Sequence, residues 1–225
     1  MIPQQPFFIT WLFSLTVLFT LVLFLKATNF LRIIIIFLSI WIGVQSILGF
    51  SEFYLITNSI PPRFILLLLP PIVCILILFL TEKGKSFIDS IDIKFLTLLH
   101  IIRIPVEIIL YWLFVYKKIP ILMTFEGRNF DIISGLTAPI IFYYGFVNVK
   151  FGKKVIIAWN YLCLVLLLNI VFNSVLSSPF PLQKFGFEQP NVAILYFPFN
   201  LLPSLIVPIV LFSHLVVIRR LIKSK

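Results

Sequence analysis

His100, Arg103 and Glu107 fall at i, i+3 and i+7 within LLHIIRIPVEIIL, residues 98–110, which puts three ionisable side chains on one stripe of a helix. Arginine offers a fixed positive charge, glutamate accepts or releases a proton, and histidine titrates near neutrality. Counting ~1.5 Å per residue from Lys94 sets Arg103 roughly 13 Å deep in a spanning helix. A cation there costs about 2.5–3.5 kcal/mol on insertion scales, so it needs a purpose or a partner. Glu107, four residues on, is the expected partner. Pro105 between them cannot bond the carbonyl of Ile101, so a kink and a freed carbonyl are expected beside the charges.

A second cluster is TFEGRNFD, residues 124–131, which gathers Glu126, Arg128, Asn129 and Asp131 around Gly127. Asp131 is expected to cap the first turn of the helix that follows, where exposed amides favour an anion. Glu126 with Asp131 could otherwise supply an acid and a base. Asn169 and Asn173 share one face of a later apolar run and read as interhelical glue or ligand contacts. With Gln45, Gln189 and Asn191 at similar depth, they suggest a polar pocket open to one side of the membrane.

The histidines, His100 and His214, lie at comparable depth and could in principle ligate a haem. A zinc site lacks a third ligand at that level. The sequence therefore leaves any cofactor unknown, and no metal site is expected. The chain contains no G-x-S-x-G, P-loop, H-E-x-x-H or glycine-rich dinucleotide motif. Cys74 and Cys163 both sit in apolar runs, which argues against a disulfide framework.

The elements that must hold these residues follow from composition. Hydrophobic residues are 61% of the chain and charged residues 12%, where a soluble domain has about 25% charged residues. Such a chain cannot cover itself with a wetted surface. Seven apolar runs approach the ~20 residues that span hydrocarbon: 7–25, 30–50, 64–80, 95–116, 130–148, 155–175 and 199–218. Their length without period-2 alternation predicts helices. The expected fold is all-α: a single transmembrane domain over 1–225, a polytopic bundle of seven transmembrane helices.

Of the eighteen Lys and Arg residues, twelve fall on one side of these runs, five on the other, and Arg103 within a helix. The richer side is expected to be cytoplasmic, placing the N-terminus outside and the C-terminus inside, in a bacterial-type inner membrane. The net charge of +10 is thus largely topological, and a nucleic-acid partner is not expected. Loops at the opposite side, 51–63, 117–131 and 177–198, are longer and carry hydrophobic residues, so they are expected to fold back onto the bundle.

These features predict binding or translocation of a small, anionic solute through an outward-facing intramembrane pocket, with Arg103 meeting the anion. One alternative is an enzyme acting on a lipid or lipid-linked substrate at the outer leaflet through Glu126, Arg128 and Asp131. Another is a structural subunit of a membrane complex. The expected partners are the bilayer and a small-molecule or lipid ligand; the oligomeric state is not legible.

Overall fold

The computed structural model of the chain describes residues 5–223. Lys225, one of the twelve cations on the basic side, lies outside them, as do the first four residues. Among the described residues there is no strand. The described residues form nine α-helices: α1 (Phe7–Ala27), α2 (Arg32–Phe50), α3 (Ile65–Leu80), α4 (Glu82–Ser90), α5 (Ile93–Leu99), α6 (Arg103–Val115), α7 (Ile132–Phe142), α8 (Lys153–Ser177) and α9 (Val207–Lys223).

Every predicted apolar run is helical, with two differences from the expectation. First, the expected single span, Ile93–Val115, is divided into α5 and α6 by a 3₁₀ turn at His100–Ile102. The tightening falls just ahead of Pro105, whose missing N–H leaves the α-helical pattern incomplete there. Second, α3 ends at Thr81 and turns by 93° into α4, a segment read from sequence as a plain connection. The Thr81 hydroxyl caps α4 by accepting from the Gly84 N–H at 3.2 Å. A Cβ at Gly84 would strike the Leu78 backbone, so glycine permits the close fold-back.

Among the described residues, five helices are long and apolar enough to cross a membrane, or six if the bent α3–α4 pair counts as one span. α7, even with the π-helical turn Tyr143–Val147 behind it, forms a shorter apolar helix, Ile132–Val147. Seven spans therefore require α3 and α7 to cross at sixteen residues each, about 24 Å of helix.

The span α5–α6 packs against α1, α7 and α9, and α9 packs in turn on α8, α5 and α3. α9 is the most enclosed span and α2 the most exposed. The distribution of polarity is inverted relative to a protein in water. Ile33, Ile47, Val165 and Phe172 face outward, while His100, Arg103, Glu107, Asn129, Asn160 and His214 are buried. Lipid as solvent gives that arrangement, since apolar side chains cost nothing outside and polar groups must find each other within.

At the basic end α4 is tied to α9. Arg220 donates to the backbone carbonyls of Asp89 and Ile91, and Lys223 donates to the Asp89 carboxylate at 2.6 Å. At the other end the long loops do fold back: Ile119, Met123, Thr124, Asn191 and Ala193 are all buried. The Gln189 amide donates to the carbonyls of Phe114 and Ile119, and the Val192 N–H donates to that of Lys118 at 3.1 Å.

Candidate functional site

Arg103 is 3% exposed and sits where α6, α7, α8 and α9 converge. Its Nη1 donates to Oδ1 of Asp131 and, at 3.5 Å, to the carbonyl of Cys163. Its Nη2 meets Nε2 of His214 at 2.8 Å. The expected pair with Glu107 does not form; Asp131 takes that place. The reason is directional. Helical side chains lean toward the helix N-terminus, so Arg103 reaches away from a glutamate four residues later. Asp131 stands at the start of α7 but makes no side-chain cap. Its carboxylate is instead the counter-charge of the guanidinium, which corrects the capping role expected from its position.

Gly135 makes this approach work. A Cβ on it would come within 2.9 Å of Ile104 Cγ1 and 3.0 Å of the Ile104 backbone nitrogen. Without that atom α7 closes on α6, bringing Asp131, one turn earlier, against Arg103, while Ser134 Oγ donates to the same carboxylate at 3.5 Å.

Because arginine only donates, His214 Nε2 must accept. Its proton therefore sits on Nδ1 and is donated to Oδ1 of Asn160 at 2.8 Å. The Asn160 amide in turn donates to the carbonyl of Ile156. The His214 ring stacks on His100, centroids 3.9 Å apart and planes 13° from parallel. Trp159 closes the edge of His100 and donates its indole N–H to Thr137 Oγ1 at 2.8 Å. Neither nitrogen of His100 has a hydrogen-bond partner among the described residues. Stacked face to face, the two imidazoles leave no gap between them for a porphyrin and its iron. Among the described residues, no three His, Cys, Asp or Glu side chains are grouped so as to hold a metal ion.

Glu107 belongs to the same network from the other side. Its Oε1 accepts from Asn129 Nδ2 at 2.6 Å, while Asn129 Oδ1 accepts from the Asp131 N–H at 3.1 Å. Asn129 is held by a second bond from Nδ2 to the Met123 carbonyl. The tight turn preceding it needs Gly127, where a Cβ would overlap Ile121. Hydrogen bonds thus run without a break from Glu107 through Asn129, Asp131, Arg103 and His214 to Asn160. Glu107 Oε2, in a residue only 1% exposed, has no partner among the described residues.

That carboxyl lines a cavity of about 60 Å³, counted as room for the centres of water molecules, enclosed by α3, α6, α8 and the start of α9. At ~10–15 Å³ per water centre this holds roughly five waters, or a molecule of about six heavy atoms. Leu67, Val106, Val171 and Ile206 make it apolar; Arg103, Glu107, Asp131 and Ser174 provide the polar positions. α3 and α8 each pack on α9 rather than closely on one another. The wall by α9 includes the π-helical turn Leu202–Ile206, which contains Pro203.

The residues singled out from sequence thus divide. Arg103, Glu107, Asn129 and Asp131 share one network, and His100 joins it by stacking on His214. Glu126 and Arg128 are exposed, and Arg128 lies 5.9 Å over the Phe185 ring. Asn169 is exposed and donates to the Arg128 carbonyl at 2.8 Å, with Asn173 bonding Asn169 behind it. Those two asparagines stitch α8 to the loop and do not line the cavity. Gln45 serves a separate polar contact, accepting from the Tyr54 hydroxyl at 2.7 Å. Sequence reasoning passed over Asn160 and Ser134, and weighed His214 only as a haem ligand. An isolated amide in the apolar α8 was the available signal for Asn160.

Residues 60–222 match the family described as Domain of unknown function (DUF8737). The chain belongs to that family. The matched region opens just before α3 and closes within α9, so it contains the whole network and the cavity, while α1 and α2 lie before it. No curated protein and no solved structure matches the chain.

Proposed function

We propose that this protein binds a small molecule with an apolar body within the membrane, in the cavity between α3, α6, α8 and α9, and carries it across. Glu107 supports this most directly: it lines the cavity, and its buried, unpartnered carboxyl oxygen Oε2 is costly unless something meets it. The 3₁₀ turn before Pro105 and the π-helical turn at Pro203, beside the cavity, suit a site whose walls move. The basic end would face the cytoplasm of a bacterial-type cell and the folded loops the outside.

An anionic ligand, the expectation from sequence, loses support because Arg103 is already met by Asp131. The outer-leaflet enzyme loses more. Glu126 and Arg128 lie exposed, and Asp131 is committed to Arg103, so no acid–base pair is assembled.

The test is titration of purified protein with hexanol, a neutral six-carbon probe of about the cavity's size, followed by calorimetry. Saturable binding is expected, weakened at least about tenfold by Val171→Phe, which fills the cavity from α8. Absence of saturable binding, or equal affinity in Val171→Phe, would count against the site.

A further inference from the structure

The charges around the cavity do not balance, and the imbalance names a ligand class. On α6 stand Arg103 and Glu107, and at the start of α7 stands Asp131. Behind Arg103 lie His214 of α9 and His100 of the 3₁₀ turn. α3 and α8 bring no charged side chain to the lining; they contribute Phe64, Leu67, Val171 and Ser174 among others. Arg103 and Asp131 cancel. His214 is neutral, because its Nε2 accepts from the guanidinium and its Nδ1 carries the proton. Glu107 is left over.

A carboxylate at this depth requires a counter-charge, and among the described residues the one guanidinium in reach is engaged. Asn129 supplies Oε1 with a hydrogen bond but no charge. The remaining oxygen, Oε2, is buried without a partner among the described residues, on a residue that lines the cavity. We infer that the cavity takes an organic cation, an alkylammonium with a short apolar body, in exchange for one proton held on Glu107. The inference rests on the cavity's being a binding site.

The balance is simple. With the cavity free of cation the proton stays on Glu107. When the ammonium enters, its N–H groups bond Oε2, the proton leaves to solvent, and the charge of the site is unchanged. One cation in and one proton out makes the site an exchanger. A protein built this way would move amines against a proton gradient. The opposing feature is Arg103 Nε, whose N–H is also unpartnered and could meet a carboxylate ligand. Such a ligand would place a third acid beside a single guanidinium.

Hexylammonium, hexanol and hexanoate share one chain and differ in the head group. Titrating each into the detergent-purified protein in two buffers of different ionisation enthalpy gives affinity and proton count together. Hexylammonium should bind at least about tenfold more tightly than hexanol at pH 7, releasing about one proton. Its affinity should weaken about tenfold per unit fall in pH while Glu107 holds its proton in the free protein. Glu107→Gln should abolish the release and bring hexylammonium down to hexanol's affinity or below. Hexanoate binding tightest, or hexylammonium binding with no proton released by the unaltered protein, overturns the inference. If hexanol binds and the amine has no advantage, the cavity stands and the exchange falls. If none of the three binds, both fall.

Discussion

His214 Nε2 accepts a hydrogen bond from Arg103 Nη2 at 2.8 Å, across 111 residues of chain, and this single contact fixes which imidazole nitrogen carries the proton. A histidine held this way bridges α6 to α8 through Asn160, whereas its stacked neighbour His100 bonds nothing.

The two histidines should therefore respond differently to the same substitution. His214→Phe strands a guanidinium N–H and the Asn160 oxygen, and should lower stability by about 1–3 kcal/mol. His100→Phe keeps the stack and removes no hydrogen bond, so its loss should be clearly smaller. Thermal unfolding of the two variants in one detergent makes the comparison; equal losses would refute the bridging role.

Arg103 and Asp131 form a buried pair, so breaking it from one side should cost about 3–5 kcal/mol. Arg103→Met and Asp131→Leu together should cost less than the two single changes summed, by about 1–3 kcal/mol of coupling. The same cycle on Arg103 and Glu107 should show weaker coupling. A reversed order would restore the pairing expected within the helix.

Gly135→Ala should drive α7 off α6. The added methyl carbon meets the backbone nitrogen of Ile104 at 3.0 Å, which no rotamer change relieves. A loss of about 1–3 kcal/mol is expected, as for overpacked cores. Gly43→Ala in α2, where nothing lies within 4 Å, is the control and should be neutral or slightly stabilising.

Tyr54, in the loop between α2 and α3, is enclosed by protein, and burial pushes its hydroxyl up to about 12. The raised value means that the folded state keeps its proton while the unfolded state ionises. Stability should be intact below pH ~10 and fall as pH rises from there toward 12. Tyr54→Phe should be less stable at neutral pH through loss of the Gln45 bond, yet less sensitive to alkali. An identical alkaline slope in both proteins would remove Tyr54 from the account.

Orientation is open to direct measurement. Reporters fused after Lys85 and Lys154 should signal the cytoplasm, and those after Asn58, Gly127 and Gln189 the opposite side. Complete reversal would overturn the charge rule for this chain; a mixed pattern would show that α3 or α7 does not cross.

The sequence by itself determined the class of fold, because in lipid each backbone group must bond within its own segment and a long apolar run has no other solution than a helix. It likewise marked Arg103, Glu107 and the 124–131 segment, since charge in such a chain is costly wherever it is not at a surface. The partner of each charge was not legible. Spacing along a helix offers Glu107 to Arg103, but the side chain leans the other way, and Asp131, 28 residues on, closes the pair only because Gly135 lets α7 approach. The right-angled turn into α4 was hidden for a similar reason: it depends on Gly84 lying against the Leu78 backbone and on Arg220 and Lys223 of α9 holding the far end. Helix formation is local and can be read from neighbours in sequence. Which buried groups satisfy one another is settled by packing between distant segments, and only the tertiary structure contains it.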